Sequence, residues 1–120
     1  MATIKYFEDL FIWQESRKLT NEIYKEFNNL RDFSFKDQIQ RASVSIMNNI
    51  AEGFERSSDI EFKRFLDIAK ASGGEVRSML YLANDLNYID AKTVNELQNN
   101  CRLLAAGIQK LINSINKKSQ

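Results

Sequence analysis

Residues 94–115 read VNELQNNCRLLAAGIQKLINSI. In them Val94, Leu97, Cys101, Leu104, Ile108, Leu111 and Ile115 recur by steps of three and four. Steps averaging 3.5 residues keep an apolar seam on one face of an α-helix, as in a coiled-coil contact with a neighbouring helix. A strand would need apolar residues at every second position. Asp90 stands where an N-cap belongs, and Ile89 with Val94 fits a hydrophobic staple. This stretch predicts a long helix from about residue 90 that packs along its whole length on other helices.

Working back from it, Asn87-Tyr88-Ile89 reads as a turn. Before it, Phe62, Leu66, Ala69, Gly73, Val76, Leu80 and Ala83 carry the same rhythm, and Ser58-Asp59-Ile60-Glu61 reads as the capping box that opens this third helix. The rhythm passes through Gly73-Gly74, although each interior glycine costs about 1 kcal/mol relative to alanine. A break there would reset the phase, so one continuous helix to about Leu86 is preferred. A second helix spans about 35–56, with Ser34 as N-cap, Asp37 in its first turn and Ile39, Ala42, Ile46, Ile50 and Gly53 as its stripe. A first helix spans about 11–28, with Asp9 in its expected N-cap region. It has Ile12, Leu19, Ile23, Phe27 and Leu30 on one stripe and Trp13, Thr20 and Tyr24 on another. Short connections make neighbours antiparallel. The expected fold is a single all-α domain over 1–120, an up-down-up-down, left-handed four-helix bundle with packing angles near 20°.

Composition agrees and excludes several classes. The 120 residues are 43% hydrophobic, 28% charged and 11% aromatic, with no proline and four glycines. That suits long helices and a real core, and it does not suit disorder. No apolar run approaches the roughly 20 residues of a membrane span. The opening MATIKYFEDL is acidic where a signal peptide needs an apolar stretch, so a cytoplasmic location is expected. Histidine is absent, which removes the commonest general base and the Glu-x-x-His ligand sets of di-iron bundles. The one cysteine, Cys101, sits in the seam and is expected to be buried and inert. No nucleophile elbow or phosphate loop is present, and carboxylates such as Glu52 and Glu75 have basic neighbours. No catalytic residue, cofactor or metal is expected.

The apolar surface exceeds one bundle's needs. Phe65, Ile68, Met79, Leu82 and Leu86 lie beside the third helix's seam, Leu103, Ala105 and Ile112 beside the fourth's, and Trp13 and Tyr24 beside the first's. Such residues either broaden the core face or form a subunit interface, and a homo-oligomer is expected.

On helix two, Gln38, Arg41, Ser45, Asn49 and Glu52 share one face. An amide, a guanidinium, a hydroxyl and a carboxylate at helical spacing can satisfy one another when partly buried. Glu75 is the natural partner from helix three, where it and Ser72 interrupt an apolar row. This set is read as a structural polar network. If the carboxylate partner of Arg41 is buried, Arg41→Ala should cost about 2 to 4 kcal/mol.

The run Gln38–Phe54, centred on Asn49-Ile50-Ala51-Glu52-Gly53, resembles the signature of the four-helix-bundle family named for proteins encoded in 23S rRNA intervening sequences. Phe7-Glu8-Asp9-Leu10 with Trp13, the stretch from Phe65 to Ser72 with Glu75, and Leu86-Asn87-Tyr88-Ile89 are similar to other parts of that family, so the likeness covers almost the whole chain. Two departures stand out. Met47 occupies a position where many members carry proline, which should straighten helix two. Gly74 stands where a larger residue is usual. The resemblance implies a non-enzymatic protomer that assembles as a ring-shaped homopentamer. It also implies a relation to the accessory variability proteins of retroelements, whose basic barrels bind nucleic acid and a reverse transcriptase.

Net charge is only +1, yet the cations are patterned. Lys63, Lys70 and Arg77 recur every seven residues on helix three. Lys110 and Lys117 do so on helix four, with Arg102 nearby, and no acid follows Glu96. These six residues are the candidate nucleic-acid contacts, and symmetry would multiply their field. Asp67, between Lys63 and Lys70, points to an ordinary salt-bridged face instead. No base-reading motif is present, so RNA or DNA would be held by its phosphates. The alternative is a ring that presents a surface to another protein.

Overall fold

The computed structural model describes residues 3–118. A 3₁₀ turn at Phe7–Asp9 leads into α1 (Phe11–Phe27), α2 (Phe33–Phe54), α3 (Asp59–Asp85) and α4 (Ala91–Lys118). No strand occurs among the described residues. A 28-residue helix at 1.5 Å per residue is about 42 Å long. This sets the long axis of the 47 × 21 × 21 Å molecule.

Cross-helix contacts fix the topology. Residues rising on one helix meet residues falling on the next: Thr20 with Ser43 and Phe27 with Phe35, then Ser45 with Ser72 and Gln38 with Glu75, then Lys63 with Asn116 and Lys70 with Gln109. Gly107 of α4 lies on Ile12 of α1 and closes the circle. The bundle is up-down-up-down.

The seams are buried as their spacing requires. Ile23, Phe27, Ile39, Ile46, Ile50, Leu66, Leu80 and Ile108 are essentially without solvent contact. Much of the surplus apolar surface joins this core: Phe65 and Ile112 are buried, and Trp13 and Met79 pack against it. Ile68, Leu82, Leu86, Tyr24 and Leu103 remain exposed.

Where α1 meets α2 the core holds hydroxyls. Thr20 Oγ1 shares its proton between the carbonyls of Ser16 and Ser43, at 2.9 and 3.0 Å. Ser16 and Ser43, both fully buried, donate to the carbonyls of Trp13 and Gln40. Small side chains let the two backbones approach, and each hydroxyl is satisfied by a helix carbonyl.

The caps correct two expectations. α2 starts at Phe33, earlier than the spacing suggests, and its N-cap is Asp32, not Ser34. Asp32 Oδ1 accepts from the Phe35 N–H at 3.1 Å. Ser34 lies within the first turn, where its hydroxyl cannot reach the orphan donors that Asp32 serves. Likewise α1 is not capped by Asp9, which ends the 3₁₀ turn; its N-cap position is Leu10. Ser58 and Asp90 cap α3 and α4, accepting from Glu61 N–H at 3.2 Å and Thr93 N–H at 2.7 Å.

α3 runs unbroken through Gly73-Gly74 and ends in a Schellman motif. Tyr88 N–H reaches back to the Ala83 carbonyl, and Asn87 N–H to that of Asn84. The motif needs a left-handed residue, which Asn87 supplies at φ 59°. The reversal carries Tyr88 onto Phe35, with ring centres 5.2 Å apart, and its hydroxyl donates to Asp32 Oδ2 at 2.6 Å. One carboxylate thus caps α2 and anchors the α3–α4 turn.

These bonds hold Asp32 below the usual aspartate range, the Tyr88 hydroxyl contributing most and the Phe35 N–H next. Asp90 is lowered by its bonds to Thr93. A carboxylate whose folded pKa is depressed stabilises above its unfolded value, near 4, and loses that contribution as pH falls through the folded value. Acid titration followed by circular dichroism should therefore show stability falling below about pH 4. In Asp32→Asn the fall should be shallower. An equal slope in that variant would remove Asp32 from the account.

Candidate nucleic-acid interface

The polar stripe of α2 divides. Ser45 Oγ and Ser72 Oγ lie 2.9 Å apart, and Asn49 Nδ2 donates to the Ser45 carbonyl at 2.7 Å and to Ser45 Oγ at 3.0 Å. Gln38 Nε2 donates to Glu75 Oε2 at 3.3 Å, at the surface. Arg41 and Glu52 do not join them. Arg41 pairs with Asp37 one turn back at 3.0 Å, with side chains 81% and 66% exposed. Glu52 pairs with Arg56 at 3.0 Å, also in solvent. Spacing along a helix is shared equally by neighbours one turn away, and those neighbours win. Arg41 has no buried carboxylate partner, so the larger cost does not apply. Arg41→Ala should change stability by under about 1 kcal/mol, within the range for exposed pairs. A loss of several kcal/mol in a thermal melt would contradict this geometry.

The cations fall in two rows. Lys63, Lys70 and Arg77 lie on the flank of α3 that faces α4. Asp67 pairs with neither lysine: the four ion pairs among the described residues lie elsewhere. Instead Lys63 Nζ donates to Asn116 Oδ1 at 2.7 Å and Lys70 Nζ to Gln109 Oε1 at 2.8 Å. Arg102 of α4 reaches Asn99 Oδ1 at 3.1 Å and the Tyr81 hydroxyl at 3.4 Å. Neutral acceptors position these side chains, and none of them joins an ion pair among the described residues. Lys70, Arg77 and Arg102 rim one notch of about 300 Å³, with Gly73, Gly74, Cys101 and Ala105 beneath. Lys110 and Lys117 form the second row, exposed on the outward face of α4 and apart from the notch.

Cys101 is buried, and that burial pushes its thiol up to about 11, against the pull of Arg77 and Arg102. A thiol held neutral at pH 7 is a weak nucleophile. No group of three or more metal-ligating side chains occurs among the described residues. No helix among them is long and apolar enough to cross a membrane.

Sequence reading did not find the acceptors Gln109 and Asn116, although they repeat the seven-residue spacing of Lys63 and Lys70. It also did not find Tyr81 as the support of Arg102. Arg56 and Arg64 lie 4.8 and 4.7 Å from the centre of the Phe65 ring and close the other end of the α2–α3 seam. Their partners Glu52 and Glu61 neutralise that cluster.

The fold and these surfaces define a compact four-helix bundle with a cationic seam. The model of the 23S rRNA-intervening sequence protein family matches residues 8–110, and the chain belongs to that family. It is similar to a crystal structure of a protein with unknown function from the S23 ribosomal protein family of Bacteroides thetaiotaomicron. Identity is 25% and the TM-score 0.79, covering 84% of this chain and 97% of that one. No curated protein matches the chain.

Proposed function

We propose that the protein is a non-enzymatic, self-associating bundle of the cytoplasm that holds RNA or DNA by its phosphates. The observation that carries this reading is the row Lys63, Lys70, Arg77 and Arg102 along the α3–α4 seam, none of which joins an ion pair among the described residues. Self-association rests on apolar side chains left in solvent, including Phe11 at 68% and Leu103 at 71% exposure on either side of the α1–α4 groove. The number five for the ring is supported by family resemblance alone.

Phosphate contacts give weak sequence dependence and a steep loss of affinity with salt. In a gel-shift titration with structured RNA and duplex DNA, binding should be present at low salt and fall sharply as salt rises. Lys110→Glu with Lys117→Glu should weaken it further, since each change recurs in every subunit. Light scattering at micromolar concentration should show an oligomer. No binding at low salt, or binding unmoved both by that double reversal and by Lys63→Glu with Lys70→Glu, would favour the second reading. In that reading an otherwise similar ring presents a surface to another protein.

A further inference from the structure

The geometry points to a seat for a single phosphate of the bound strand, on the Gly73-Gly74 floor of the α3–α4 notch between Lys70, Arg77 and Arg102. This rests on the phosphate-binding reading above and names where that contact is made.

The four glycines separate by what surrounds them. At Gly53 an added Cβ would lie 2.7 Å from Phe65 Cβ, and at Gly107 3.0 Å from Ile12 Cγ2, so helix packing explains both. At Gly73 the nearest atom would be Ile46 Cδ1 at 3.8 Å, an ordinary contact, and at Gly74 nothing lies within 4 Å. No glycine has a positive φ. Two adjacent interior glycines weaken a helix relative to alanine, and neither packing nor backbone conformation here requires them. What they do create is space. Gly74 lies between Lys70 and Arg77 in the row that faces α4, four residues after one and three before the other. Any larger side chain there would project between the two cations.

The walls suit a phosphate oxyanion. Two guanidiniums and an ammonium from two helices rim the notch, and the described ion pairs include none of them. Arginine presents a planar fork matched to phosphate oxygens, and lysine adds a point charge. Tyr81 and Gln109 hold Arg102 and Lys70 in place, so less side-chain freedom is lost on binding.

The test uses the full chain and two probes, a short oligothymidylate and inorganic phosphate. Amide resonances of the four glycines are followed in a heteronuclear NMR titration at low salt. Gly73 and Gly74 should shift, and Gly53 and Gly107 should stay. A shift with both probes identifies a seat for a lone phosphate; a shift with the oligonucleotide only identifies one that needs the strand. If neither probe moves Gly73 and Gly74, the seat is wrong. Gly74→Leu supplies the second arm. It removes a helix-weakening glycine and meets no neighbour at its Cβ, so its melting temperature should not fall. Oligonucleotide affinity should drop at least about tenfold. Should Gly74→Leu bind as the parent does while the Lys110 and Lys117 reversal still weakens binding, the seat is overturned and the polyanion reading stands. If the parent chain binds no oligonucleotide at low salt, both fall together.

Discussion

Phe27→Ala should lower the melting temperature by roughly 10–20 °C at fixed protein concentration, a loss of about 3–5 kcal/mol. Phe27 has no solvent exposure at the end of α1. Its ring lies 5.7 Å from that of Phe35, which in turn lies 5.2 Å from that of Tyr88. Removing it opens a cavity under α2's first turn, where Asp32 caps the helix and holds Tyr88. The walls of that cavity are helix ends tied by hydrogen bonds, so they cannot collapse to refill it. Thermal melts read by circular dichroism check this. A loss below about 1 kcal/mol would mean that the site relaxes freely.

The second large effect is expected at Gly53, where intrinsic propensity and packing oppose each other. Alanine in place of a helical glycine ordinarily stabilises, by about 1 kcal/mol in a helix interior and by less in the last turn, where Gly53 lies. Here its Cβ would lie 2.7 Å from Phe65 Cβ and 3.3 Å from the Phe62 carbonyl oxygen. Both atoms are anchored to the α3 backbone, so the helices themselves must move apart. Overpacking of this kind costs about 1–3 kcal/mol, enough to reverse the sign of the propensity gain. Gly53→Ala should therefore melt lower than the parent, and Gly53→Val lower still. An alanine variant that melts higher would show that α2 and α3 do not approach this closely.

The glycines show how far the sequence is legible. All four look alike as letters, and two of them lie side by side within a heptad rhythm. The Gly53 contact is set by Phe62 and Phe65, nine and twelve residues later, and appears only when α3 folds back along α2. The open space at Gly74 is likewise a property of two helices. The α2 polar stripe has the same limit. Ser45 and Asn49 meet Ser72 because a cross-helix contact selects them. Arg41 and Glu52 share their face in projection but find Asp37 and Arg56 one turn away, in water.

The sequence by itself determined the four helices, their antiparallel order, the buried seams and the caps at Ser58 and Asp90. Each follows from local spacing or from hydrogen bonds within a few residues. Tertiary structure alone decided what crosses between helices. Thr20 Oγ1 donates across to the Ser43 carbonyl at the α1–α2 contact, and Asp32 links a helix cap to the turn that ends in Tyr88. The Lys63 and Lys70 side chains pass over Asp67 to amide oxygens on α4. Periodicity assigns a residue to a face. The partner it meets there depends on the axial register of the neighbouring helix, which comes from packing the whole core at once.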